Sequence, residues 1–111
     1  SLLPKYRGRA TAFWPLFYDD DRTGVTAHRM TERFDAGPIL TQRTFPLDDA
    51  DTVDSVSRKL ADAGSSLVVD LLAAYPELPA EQPNETTPAD YHGIPGPEDR
   101  RLFLARGNAF L

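Results

Sequence analysis

A chain of 111 residues, 41% hydrophobic and 26% charged, has room for one modest core and the composition of a water-soluble globular domain. Its net charge of −5 makes it a poor electrostatic partner for phosphate backbones, and no apolar run approaches the ~20 residues that a bilayer span needs. The lack of cysteine removes disulfides, thiolate metal sites and a Cys nucleophile together, and fits a reducing, cytoplasmic setting.

In chain order, Ser1-Leu2-Leu3-Pro4 has no basic start or long apolar stretch, so it does not read as a secretory leader. With Ser in place of Met at position 1, the chain reads as a processed product or a piece of a longer polypeptide. Lys5, Arg7 and Arg9 follow in a loop set by Pro4 and Gly8. Ala10, Phe13, Trp14 and Phe17 recur at near-helical spacing, which predicts a short helix kinked by Pro15 or beginning near Trp14. Asp19-Asp20-Asp21 breaks that pattern and reads as a solvated turn, since the ordered spacing of a calcium loop is missing. Residues 24–30 and 38–45 read as strands, joined by a loop at 31–37 short enough for an antiparallel pair. Neither face of the second strand is cleanly apolar, which predicts an exposed or edge position.

Residues 51–75 carry the clearest periodicity. Val53, Val56, Leu60, Ala63, Leu67, Leu71 and Ala74 step by three and four, widened by Val68 and Leu72, and predict one long amphipathic helix. Asp51 or Thr52 would cap it, Asp54 suits its first turn, Gly64 weakens it, and Pro76 ends it. Six prolines punctuate residues 76–98, which therefore read as an extended surface connector carrying an exposed His92, and 99–111 as the start of a further element or a tail. One helix over two strands is too little for an open sheet, so the strands are expected to need neighbours.

Two stretches carry chemistry: Ser1-Leu2-Leu3-Pro4-Lys5-Tyr6-Arg7-Gly8, and Thr23-Gly24-Val25-Thr26-Ala27-His28-Arg29-Met30 followed by Phe34-Asp35-Ala36-Gly37-Pro38-Ile39-Leu40. Together, in this order, they resemble the formyltransferases that use 10-formyltetrahydrofolate. The resemblance runs from Ser1 to about Pro46 and more loosely through the long helix and Tyr91-His92-Gly93-Ile94-Pro95. It implies an α/β, Rossmann-like parent domain, with residues 1–75 as the C-terminal half of its catalytic part. It also implies transfer of a formyl group to a primary amine, with folate as donor substrate and no metal. In that family an Asn-x-His-Pro sequence precedes the segment matching Ser1–Gly8, and no such sequence occurs in these residues. The resemblance makes Asp35 the third catalytic group, assigns folate contacts to Ser1, Leu2, Leu3 and Pro4, and places Thr31, Glu32, Arg33 and Phe34 at the pterin pocket. The 111 residues are then expected to be inactive alone.

The residue types suit the reaction. An amine attacking a formyl carbon creates a tetrahedral oxyanion that preorganised donors stabilise. A carboxylate beside the catalytic His favours its charged form and takes up the proton released by the amine, directly or through water. Without the resemblance, Asp35 before Ala36-Gly37-Pro38 is only a turn residue. His28 reads as structural, the cations at 5, 7 and 9 as solvated, Phe13, Trp14 and Phe17 as core, and the Asn84-Glu85-Thr86 sequon as unused. Arg9-Ala10-Thr11-Ala12 departs from the Ala-Pro pair usual in methionyl-tRNA formyltransferases, and Arg33 stands where the family's loop usually has glycine. These departures bear on the acceptor: methionyl-tRNA leads, followed by an amino sugar nucleotide or glycinamide ribonucleotide. Two other readings are a non-catalytic folate-binding module and a scaffold whose long helix packs on a protein partner.

Overall fold

The computed structural model describes residues 1–111. Along the chain come β1 (Arg7–Gly8), α1 (Phe13–Phe17), β2 (Arg22–His28), β3 (Ile39–Pro46), α2 (Val53–Ala74), a 3-10 turn at Pro88–Asp90, β4 (Tyr91–His92) and α3 (Pro97–Ala105). β2 and β3 pair antiparallel, with Val25 opposite Arg43 and Thr26 opposite Gln42, and β1 pairs in parallel with β4.

The expected strand pair forms, shifted slightly at its ends. β2 stops at His28 because Pro38, opposite Arg29, has no N–H to return the bond it accepts from Arg29 N–H at 2.9 Å, which closes the loop between the strands. β3 starts at Ile39 because Pro38 has no N–H for a ladder. The mixed character of both strand faces has a structural reason. On one face Val25 and Arg43 meet α2: Arg43 hydrogen-bonds Ser66 and forms an ion pair with Asp70 at 2.6 Å. On the other, Thr26 and Gln42 hold the N-terminal segment by its backbone.

α2 is the long helix that the spacing predicts. Thr52 is its cap: its hydroxyl accepts from Ser55 N–H at 3.1 Å, while Ser55 Oγ accepts from Thr52 N–H at 2.8 Å. Asp51 braces the same turn, accepting from Asp48 N–H, Ser55 Oγ and Lys59 Nζ. Burial alone would raise the Asp51 pKa, but these donors outweigh it and hold the carboxyl below the ordinary value of 3.8. Val56 and Leu67 are buried, but the upper half of the stripe is not: Val68, Leu72 and Tyr75 are largely exposed. The two-stranded ribbon beneath is too narrow to cover them. No helix is long and apolar enough to cross a membrane.

The core lies at the other end of α2. Phe13, Trp14 and Phe17 of α1 pack with Tyr6, Val56 and Phe103, and the rings of Phe13 and Phe103 are 4.5 Å apart. Here the extended connector expected at 76–98 needs correction. α3 begins within it, at Pro97 after Gly96, where a proline without an N–H fits the first helical turn. Trp14 Nε1 donates to Gly93 O at 3.0 Å, and Val53 and Asp54 N–H at the start of α2 donate to Ala109 and Phe110 O. His92 is likewise half-buried rather than exposed, its ring 4.9 Å from that of Trp14.

Candidate active site

Asp35 stands at the tip of the β2–β3 loop with φ at +56°, the left-handed region that aspartate tolerates better than most residues. Three features fix it there. Gly37 follows so close to the opposite limb that a Cβ would lie 1.7 Å from Arg29 O, so only glycine fits. Asn84 Nδ2 donates to Asp35 O at 2.8 Å and to Gly37 O at 2.9 Å. Gly8 N–H donates to Asp35 Oδ2 at 3.1 Å, bringing the end of the first motif onto the carboxylate of the second.

Gly8 is itself constrained. Its φ is +116°, and a Cβ there would meet His92 O at 2.6 Å and the Tyr91 ring at 2.8 Å. The β1–β4 pairing thus seats Tyr91 beside Asp35, and the Arg7 guanidinium lies 5.9 Å from the Tyr91 ring centre. Gly8, Arg9, Phe34, Asp35 and Tyr91 line an open cavity of about 360 Å³, and a second one bordered by Arg7, Glu32 and Arg33 adjoins it across Phe34 and Tyr91. The Asp35 side chain remains 35% accessible, open enough to meet a reacting group.

His28 Nδ1 lies 2.9 Å from Arg29 O, an atom that only accepts, so Nδ1 carries a proton. Its Nε2 is 3.8 Å from Asp35 Oδ1, beyond hydrogen-bond range. His28 therefore flanks the carboxylate without orienting it.

The Ser1–Pro4 segment lies on the same side. Thr26 Oγ1 donates to Ser1 O at 2.8 Å and accepts from Leu3 N–H at 3.0 Å; Gln42 Nε2 donates to Leu3 O at 2.7 Å; Lys5 N–H donates to Leu2 O. With these backbone groups engaged, the segment is held in place and offers a ligand mainly the apolar side chains of Leu2 and Pro4, since Leu3 is buried. Thr31, Glu32, Arg33 and Phe34 are exposed along the loop, Phe34 almost wholly.

The structure thus brings together Asp35, Gly8 and the start of the chain, with residues 31–34 along the rim. Sequence reasoning gave no site role to four contributors: Thr26 and Gln42, which fix Ser1–Leu3, Asn84, which fixes the Asp35 loop, and Tyr91, which walls the cavity. The only sequence signal for Asn84 was its sequon. Elsewhere, Asp20 of the acidic turn accepts from Tyr6 Oη at 2.6 Å; burial, reinforced by that bond, pushes the Tyr6 pKa up. No His, Cys, Asp and Glu side chains gather in a group that could hold a metal ion.

Residues 1–72 match the family model described as formyl transferase. The chain belongs to the formyl transferase family. Among its relatives, methionyl-tRNA formyltransferase of Ehrlichia canis (strain Jake) is 43% identical over 86 residues, covering 77% of this chain and 28% of that protein. The enzyme of the same name from Ehrlichia chaffeensis is 43% identical over 72 residues, covering 65% of this chain and 24% of that one. The chain spans about a quarter of the length of these relatives. Among solved structures, WlaRD, a sugar 3N-formyl transferase determined in the presence of dTDP and 5-N-formyl-THF, superposes with a TM-score of 0.77 at 26% identity, covering 85% of this chain and 35% of that one. The N-formyltransferase from Helicobacter canadensis, in complex with folinic acid and dTDP-3-aminofucose, gives 0.77 at 24% identity over the same shares. The part of an α/β, Rossmann-like formyltransferase domain expected from the motifs agrees with these superpositions. Tyr91, His92 and Asn84 lie beyond residue 72, outside the matched family region.

Proposed function

We propose that the polypeptide carrying this formyl transferase chain transfers a formyl group from 10-formyltetrahydrofolate to a primary amine, and that Asp35 is its proton acceptor. One observation carries this reading: Asp35 is held in a left-handed, anchored conformation with its carboxylate accessible and bonded to Gly8 N–H at the end of the first motif. The resemblance sets the family's Asn and His ahead of the segment matching Ser1–Gly8, whose last residue bonds that carboxylate.

In the reaction the acceptor nitrogen bonds to the formyl carbon, and the carbonyl oxygen takes the displaced electron pair. An Asn and a His supplied from outside these residues, as the family resemblance implies, would stabilise this oxyanion. The bond from carbon to the folate N10 then breaks, and the proton lost by the amine, relayed through Asp35 and the His or a water, ends on N10. Tetrahydrofolate leaves, and no metal takes part. Leu2 and Pro4 would border the folate, and Thr31, Glu32, Arg33 and Phe34 the pterin rim.

The identity to methionyl-tRNA formyltransferases favours methionyl-tRNA as acceptor. An amino sugar nucleotide is the second reading. It is favoured by the superposition on a sugar formyl transferase and by the cavity that joins Arg9 to the exposed faces of Phe34 and Tyr91. The test incubates the polypeptide carrying this chain with 10-formyltetrahydrofolate and each acceptor in turn, and follows the N-formyl product by mass spectrometry. Formylated methionyl-tRNA supports the first acceptor, and formylated sugar nucleotide the second. Absence of product with every primary amine tried, alongside retained folate binding, would transfer the lead to the non-catalytic folate-binding reading.

A further inference from the structure

Residues 81–84 do more than connect. Arg29 Nε donates to Glu81 Oε1 at 2.9 Å. Gln82 and Ile39 exchange both backbone hydrogen bonds, at 2.8 and 2.7 Å. Asn84 then makes its two bonds to Asp35 O and Gly37 O. The segment is therefore tied to both limbs and the tip of the loop that carries the candidate catalytic carboxylate.

The loop's base is already closed without this segment, by Arg29 N–H donating to Pro38 O. The Asn84 bonds go instead to the carbonyls on either side of Ala36, where the backbone is tightest. Both partners are carbonyl oxygens, which only accept, so the amide NH₂ must face them. A single nitrogen with two N–H groups matches two carbonyls, which neither a hydroxyl nor a carboxylate can do.

We propose that Asn84 is a positioning residue. It holds Asp35 in the left-handed conformation that sets its carboxylate on Gly8 N–H, so residues 81–84 act as a strap on the active-site loop from outside the family-matched region. The mechanical part of the proposal stands on the geometry alone; its catalytic part rests on the role given to Asp35 above.

The experiment compares Asn84→Asp and Asn84→Ser with the unsubstituted polypeptide that carries this chain. Asp keeps the volume but turns an acceptor toward two carbonyls; Ser keeps one donor and loses the span. Amide-resolved hydrogen exchange is read at Gly8, whose N–H bonds Asp35, and at Leu60 inside α2. Gly8 exchange is expected to quicken about tenfold in Asn84→Asp and less in Asn84→Ser, with Leu60 unchanged. Unchanged Gly8 exchange in both variants overturns the strap, and so does equal acceleration at Gly8 and Leu60, which would make Asn84 a contributor to global stability only. For the catalytic part, kcat for formyl transfer is expected to fall about tenfold in Asn84→Asp with KM for 10-formyltetrahydrofolate held. An unchanged kcat beside faster Gly8 exchange overturns that part. No transfer by the unsubstituted protein would instead end the catalytic reading of Asp35 and leave the exchange result to decide the strap.

Discussion

The two ends of α2 differ in what covers them. At its N-terminal end the helix is capped by Thr52, braced by Asp51 and packed under an aromatic cluster from α1 and α3 in which Val56 and Phe103 are fully buried. At the other end it lies on a two-stranded ribbon, with Leu72 and Tyr75 about 70% exposed, and the loop holding Asp35 projects Met30 and Phe34 into solvent. Hydrophobic burial holds the first end. Buried Leu67 and the contacts of Arg43 with Ser66 and Asp70 hold the second, and the Asp35 loop itself is held by hydrogen bonds and backbone fit: Gly37 against Arg29, Gly8 against His92, Asn84 on two carbonyls. The division suits the proposed formyl transfer, in which the packed end gives stability and the loop keeps a carboxylate accessible.

If stability resides at the packed end, truncating Phe103 should have the largest effect. Phe103→Ala is expected to cost about 3–5 kcal/mol, read as a lower midpoint in urea with an unchanged slope. A loss below 1 kcal/mol would mean that α3 contributes little to the core. Next comes Asp51→Asn, expected to cost about 2 kcal/mol at neutral pH because Lys59 and Ser55 lose a charged acceptor. The sign follows from the depressed folded-state pKa. The carboxylate stabilises the fold at pH above its unfolded value, near 3.8, and that contribution is lost as pH falls through the lower folded value. Stability measured between pH 7 and pH 2 should therefore converge for the two proteins at the acid end, and parallel curves would contradict the assignment.

The smallest effect tests the open end. A Cβ on Gly64 would meet nothing nearer than Val25 Cγ1 at 4.0 Å, so Gly64→Ala should stabilise by about 1 kcal/mol through helix propensity. Destabilisation would show that α2 sits closer to the ribbon than the structure indicates.

What could be read from the sequence follows the range of the interactions. α2, its Thr52 cap and the antiparallel pair rest on local spacing and turn chemistry, and the aromatic core on the clustering of Phe13, Trp14 and Phe17. Asp35 was reached through a motif, and the structure supplies what the motif leaves out: an anchored, accessible carboxylate beside Gly8 and the Ser1–Pro4 segment. The β1–β4 pairing was not legible, because two residues in a proline-rich tract carry no periodicity and their partners lie near the start of the chain. The same holds for Asn84, whose partners are backbone carbonyls 49 and 47 residues away. The exposed upper stripe of α2 shows the opposite failure: spacing tells which side of a helix is apolar, not whether anything covers it.

The central claim is that Asp35 serves formyl transfer and not merely a turn. Asparagine at this position keeps an acceptor for Gly8 N–H and tolerates the same backbone conformation, while losing the capacity to take a proton. In the polypeptide carrying this chain, Asp35→Asn is expected to lower formyl transfer from 10-formyltetrahydrofolate by at least about 10²-fold at unchanged thermal stability. Transfer within a few-fold of the unsubstituted protein would contradict the account and leave Asp35 a turn residue.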